Sequence, residues 1–168
     1  MANASPKYVP SWMAQSKVLL FAAAGLPLGV PIEDMLRLVP EEDVLPMPLA
    51  HPALAGVMPS LEGVSPVFDL ALLTPEASRR APARKSEALV ALFPHSEGSV
   101  GIRLERLAGL VPDVDPMSDA LQAGLLSALP SGLRSFITSA ATAKGQLFFF
   151  FSKDAFLAWV AAGGVEGP

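Results

Sequence analysis

Apolar and polar positions along this chain alternate in short bursts broken by Gly and Pro, and the bursts recur. Lys17 to Ala23 is a short apolar run, Gly25 turns, and Leu28 to Val30 is apolar again, which predicts a hairpin. Pro31 suits the first turn of a short helix, with Glu33 and Asp34 near the positive end of its dipole. Ile32, Met35, Leu36 and Val39 give that helix, or the bend into a strand after it, a one-sided apolar stripe. Pro40, Pro46, Pro48 and Pro52 then forbid a long helix. Gly63 to Leu70 predicts a strand, ended by Asp69, which is placed to cap a short turn running into Leu72 and Leu73.

After a polar, Pro-containing stretch from Thr74 to Glu87 the pattern restarts. Ala88 to Phe93 and Val100 to Leu104 predict strands around the turn His95 to Gly98. Asp115 and Pro116 read as a helix start. Met117, Leu121, Leu125, Leu126 and Leu129 lie near helical spacing and predict an inserted amphipathic helix over 115–129. Phe136 to Ala143, a turn at Gly145, Leu147 to Phe151 and a helix over Lys153 to Ala162 close the chain. Leu147 to Phe151 is too apolar to be exposed on either face.

Two stretches nearly coincide. Leu28 to Val39, LGVPIEDMLRLV, aligns without a gap on Val100 to Val111, VGIRLERLAGLV. Gly29 meets Gly101, Glu33 meets Glu105, and Leu38 and Val39 meet Leu110 and Val111. Apolar matches are cheap in a chain this apolar, so the aligned Gly and Glu carry most of the signal. Short strands with Gly and Pro turns, present twice, predict two related small barrels in tandem.

Composition narrows the function. Hydrophobic residues make up 51% and charged residues 17%, well below the usual quarter, so apolar surface is left for contacts. There is no Cys, hence no disulfide and no thiolate metal site. The net charge is -4, and the basic residues cluster only at Arg79, Arg80, Arg84 and Lys85, which argues against nucleic acid. Val18 to Ile32 is too short and too broken by Pro27 and Pro31 to span a membrane. It is also a poor signal peptide, because Pro6 and Pro10 precede it and it belongs to the repeat. Neither His51 nor His95 has a second ligand at helical spacing, so no metal is expected. No nucleophile elbow or phosphate loop occurs, and Glu41, Glu42 and Asp43 read as a solvated acidic turn. The expectation is no catalytic residue, no metal and no cofactor.

Four segments together resemble the CheW-like family of chemotaxis coupling proteins. They are Lys17 to Val39, His51 to Leu73 (HPALAGVMPSLEGVSPVFDLALL), Ser99 to Val111, and Phe136 to Leu157. The resemblance implies a mostly β fold of two five-stranded SH3-like barrels packed together, with short helices and one inserted helix. The implied layout is a tail at 1–15 and a CheW-like domain at 16–162. Within that domain, the first barrel takes about 16–73 plus closing elements, a loop covers 74–87, the second barrel about 88–152 and a terminal helix 153–162. The implied function is a non-enzymatic, cytoplasmic adaptor at chemosensory arrays. Its implied partners are the cytoplasmic tip of a methyl-accepting chemoreceptor and the regulatory domain of a CheA-type histidine kinase.

Carried over by motif, Met35, Arg37, Gly56, Val57 and Met58 fall on partner-facing positions, and Asp69 on a structural cap. Met35 and Met58 are read equally well as core residues. Where the family has Asn-Leu-Arg-Gly, this chain has Pro59, Ser60, Leu61 and Glu62. Leucine cannot replace the bidentate contacts of arginine, and Glu62 reverses the local charge. Leu61 and Glu62 are therefore partner-site positions at which the kinase contact is weakened, leaving a receptor-only coupling protein as the alternative. An unrelated ligand-binding or enzymatic barrel is the further alternative, to be marked by a pocket with convergent polar groups.

Overall fold

The computed structural model describes residues 17–47, 51–60, 63–74, 88–96 and 98–163. The expected tail, most of the 74–87 loop, and both Leu61 and Glu62 lie outside the described residues.

The first half supplies the hairpin β1 (Val18–Ala23) and β2 (Leu26–Pro31), then β3 (Arg37–Pro40), then the hairpin β4 (Leu54–Ser60) and β5 (Gly63–Phe68). The second half supplies the hairpin β6 (Leu89–His95) and β7 (Gly98–Leu104), then β8 (Arg106–Val111) and β9 (Asp115–Pro116). After the helices α1 (Asp119–Ser127) and α2 (Ser131–Arg134) come the hairpin β10 (Ile137–Ala143) and β11 (Gln146–Phe151), and last α3 (Lys153–Ala161).

The strands form two sheets, ordered β8-β1-β2-β11-β10-β9 and β3-β6-β7-β5-β4. Each order nearly closes on itself. β9 follows β8 after a bend and returns to pair with β10. In the other sheet Leu45, just beyond β3, bridges Val57 of β4 through Leu45 N–H to Val57 O (2.7 Å) and Val57 N–H to Leu45 O (2.9 Å). Counting β8 and β9 as one bent strand gives the expected five strands in each unit. The sheets do not follow the sequence ranges 16–73 and 88–152, however. The β1–β2 hairpin pairs with β8 and β11, while β6–β7 pairs with β3 and β5, so each half completes the other's sheet.

The pairing registers confirm the repeat. Val18, Leu19 and Leu20 of β1 face Val111, Leu110 and Gly109 of β8. At the offset that carries Gly29 onto Gly101, Val90, Ala91 and Leu92 of β6 face Val39, Leu38 and Arg37 of β3. The two repeated glycines have one job. A Cβ on Gly29 would lie 2.8 Å from the Phe148 ring and 3.0 Å from Val18, and one on Gly101 would lie 2.7 Å from Val90. In both sheets the space inside the curve is already filled by a side chain, and interiors at crystal-like density leave no room for another carbon.

Alternation along the strands sorts the apolar residues into three cores. Val18, Val111, Ala141, Phe148 and Phe150 fill the inside of the first sheet. Met58, Val67, Val90 and Leu92 fill the inside of the second. The larger central core lies between the sheets and holds Leu19, Phe21, Phe93, Ile102, Phe149 and Phe151. Helix α3 locks over this core. Its Phe156 and Trp159 stack edge-on against Phe68 of one sheet and Phe136 beside the other, with centroids 5.4–5.8 Å apart. Ser152 accepts the Ala155 N–H as its N-cap.

Two expected helices differ. The one predicted from Pro31 is a single 3-10 turn, Ile32–Asp34, and the chain is extended from Met35. Pairing with β6 takes the backbone of the next residues, so Leu38 packs on the central core, Val39 on the second sheet's inner core, and Leu36 is exposed. The inserted helix starts after Ser118 rather than at Asp115, because Asp115 and Pro116 pair with Thr142 and Ala141.

Candidate partner-binding surface

The positions carried over by motif are not gathered on one face. Met58 is 2% exposed and packs on Val67, Val90 and Leu92, so it is core and cannot meet a partner. Gly56 is buried because the chain crossing at Leu45 needs its space: a Cβ there would lie 2.2 Å from the Leu45 carbonyl oxygen. Met35 is half-buried against the central core. Arg37 is exposed on β3 and Val57 half-buried on β4. Asp69 accepts the Ala71 N–H (2.9 Å) at the start of the 3-10 turn Leu70–Leu73.

Asp69 has a second role. Arg103 of β7 donates to Asp69 (3.2 Å) and, through Nε, to Glu41. Burial alone would lower the guanidinium pKa, but the two carboxylates outweigh it and hold that pKa above its ordinary value. Glu41 is thus not a plainly solvated acid. It fastens the turn 41–43, from which the chain runs to the Leu45 bridge, onto β7. His51 accepts the Ala53 N–H (3.0 Å) and lies edge-on to Trp159 at 5.1 Å.

Among the described residues, exposed apolar side chains group at two places on the sheets. On β8 a bulge at Ala108 lets residues three apart share a face, since Leu107 is opposite Phe21 and Leu110 opposite Leu19. Phe21 and Leu19 belong to the central core, so Leu107 and Leu110 are its uncovered margin, 40% and 46% exposed. On the β4–β5 hairpin Val57 is opposite Pro66 and Pro59 opposite Val64, with Leu45 beside Val57. Cross-strand neighbours share a face, so these five form one apolar patch, with Val64 67% and Leu45 59% exposed. No spacing rule in the sequence marks either surface: the first depends on a bulge and the second on a bridge between distant residues.

Among the described residues no group of three His, Asp or Glu could hold a metal ion. No described helix is long and apolar enough to cross a membrane. The pocket under α2 is lined by apolar side chains alone, among them Leu28, Leu70, Leu133 and Phe136, and offers no polar group to orient a substrate.

With this geometry in hand, the comparison with solved structures is decisive for the fold. The chain superposes on the scaffolding protein TtCheW from Thermoanaerobacter tengcongensis with a TM-score of 0.63, covering 82% of this chain and 89% of that one. The fold is CheW-like. Identity is 13%, so the two share architecture far more than side chains. No family model matches the sequence, and no curated protein matches it.

Proposed function

We propose that this protein is a non-enzymatic adaptor of bacterial chemosensory signalling, working in the cytoplasm at receptor arrays. The observation that carries the reading is the superposition of nearly the whole chain on a scaffolding protein. The uncovered margin of the central core supplies the docking surface. Leu107 and Leu110 are apolar anchors between the two sheets, where a receptor's helical tip would seat, with most of the affinity in a few such residues.

Titration calorimetry of the chain against the cytoplasmic tip of a receptor encoded beside it tests this. Binding at micromolar strength, about -8 kcal/mol, is the expected result. Leu110→Asp should weaken it at least about tenfold, since it puts a charge into a desolvated contact. A flat titration against every neighbouring receptor overturns the reading.

A receptor-only form of this role is favoured by Leu61 and Glu62, which replace the arginine and glycine of the related motif. A pull-down with the regulatory domain of a CheA-type kinase should be negative. The doubly substituted Leu61→Arg, Glu62→Gly chain should gain binding if those two positions are the cause.

A further inference from the structure

The repeat places a helix-covered surface on one half of the molecule and the corresponding, more exposed surface on the other. In the parallel pairings Gly29 is opposite Phe150 and Leu28 opposite Phe149, while Gly101 is opposite Val67. Because Gly29 corresponds to Gly101, Phe150 corresponds to Val67 and Phe149 to Pro66. Hairpin register then carries Ala140 onto Val57, Leu147 onto Val64 and Thr142 onto Pro59. The burial differs sharply. Ala140 and Phe149 are 1% and 5% exposed and Leu147 is half-buried, yet Val57 and Pro66 are only half-buried and Val64 is 67% exposed.

The covering element in the second half is α1. It packs against β10, and its Leu125 and Leu126 pack on the central core to which Ala140 and Phe149 belong. Gln122 secures it by accepting the Ala140 N–H (3.2 Å). Among the described residues of the first half no helix occupies the corresponding place. Among the described residues the exposed charge nearest to this face along the chain is acidic: Asp43, two residues before Leu45.

We propose that the β4–β5 face of Leu45, Val57, Pro59, Val64 and Pro66 is a docking site for an amphipathic helix of a partner protein. That helix has an adjacent pair of leucines on its apolar stripe, as α1 has, and a basic residue flanking it to meet Asp43. The site lies on the sheet that does not contain β8, and the inference stands on the fold and its repeat rather than on the adaptor reading. A helix laid on this face gives Val57 and Pro66 the burial that Ala140 and Phe149 already have, and apolar area removed from water is the driving force.

The probe is a synthetic peptide of the protein's own residues 117–129 with two lysines added at one end, titrated into the intact chain and followed by NMR shift changes. The expected result is saturable binding at tens to hundreds of micromolar, with shifts centred on Leu45, Val57 and Val64. Val64→Lys and Leu45→Asp, both at exposed positions, should each weaken it about tenfold or more. A peptide carrying two glutamates instead of the lysines should bind several-fold more weakly. Four results overturn the proposal: no saturation at millimolar peptide, binding indifferent to both substitutions, shifts centred on β10 because the peptide displaces α1, or equal binding by a scrambled peptide.

Discussion

The hairpins β4–β5 and β10–β11 occupy corresponding places in the two sheets, pair in the same register and bury different things. Beneath β10–β11 lie Phe148 and Phe150, and above it sits α1. Beneath β4–β5 lie Met58, Val67 and the hydrogen-bonded pair Ser65 and Ser99, and no described helix lies over its outer face, where Val64 is 67% exposed. One backbone plan therefore supports a thick, helix-covered wall on one side and a thin, open one on the other. The two interiors differ in side-chain volume: two phenylalanines join Val18, Val111 and Ala141 inside the first sheet, whereas Met58, Val67, Val90 and Leu92 fill the second, with Val44 from the chain crossing packed against them.

The largest expected effect breaks the thick wall. Phe148→Ala removes the ring that fills the space beside Gly29 and should cost about 3–5 kcal/mol in urea unfolding. Met58→Ala, at the corresponding depth of the other sheet, should fall near the low end of about 2–5 kcal/mol. A larger loss for Met58 would reverse the ranking of the two sheets.

Next is the bridge that closes the thin wall. Gly56→Ala drives a carbon into the Leu45 carbonyl and should cost about 1–3 kcal/mol. Ser139 holds the corresponding place on β10, opposite Phe150 as Gly56 is opposite Val67. Ser139→Ala should change stability by no more than about 0.5 kcal/mol. Equal losses would show that Leu45 is not what Gly56 accommodates.

Arg103→Gln leaves Glu41 and Asp69 half-buried without their cation and should cost about 1–2 kcal/mol, with loosening centred on residues 41–45 in hydrogen exchange. Exchange spread evenly over the chain would argue against a fastening role for the cluster.

The smallest effect sharpens the comparison of outer faces. Val64→Lys should leave stability within about 0.5 kcal/mol of the parent. Leu147→Lys, at the matching position packed on the central core, should cost about 1–3 kcal/mol. Equal costs would mean that Val64 is packed in solution.

Much of this architecture was legible in the residues. The hairpin turns at Gly25 and Gly145, the strands around them, the cap at Asp69 and the terminal helix all follow from local rules, because turns, caps and strand alternation are decided by near neighbours. The CheW-like fold was legible from the order and spacing of four loose motifs. The candidate surface was much less so. Resemblance pointed to Gly56 and Met58, and both face inward. Leu45, Val64, Leu107 and Leu110 were missed, because exposure of an apolar residue depends on what covers it and not on its neighbours in the chain.

The sequence by itself determined the strands, their turns and the fact of duplication, since periodicity and Gly spacing are properties of the chain. Tertiary structure alone decided that each half completes the other's sheet and that glycine is required wherever an inner side chain already fills the space. It also decided which of two corresponding hairpins the helix α1 covers. Those outcomes rest on contacts between residues far apart in the chain, where hydrophobic burial and steric exclusion act, and no local pattern encodes them.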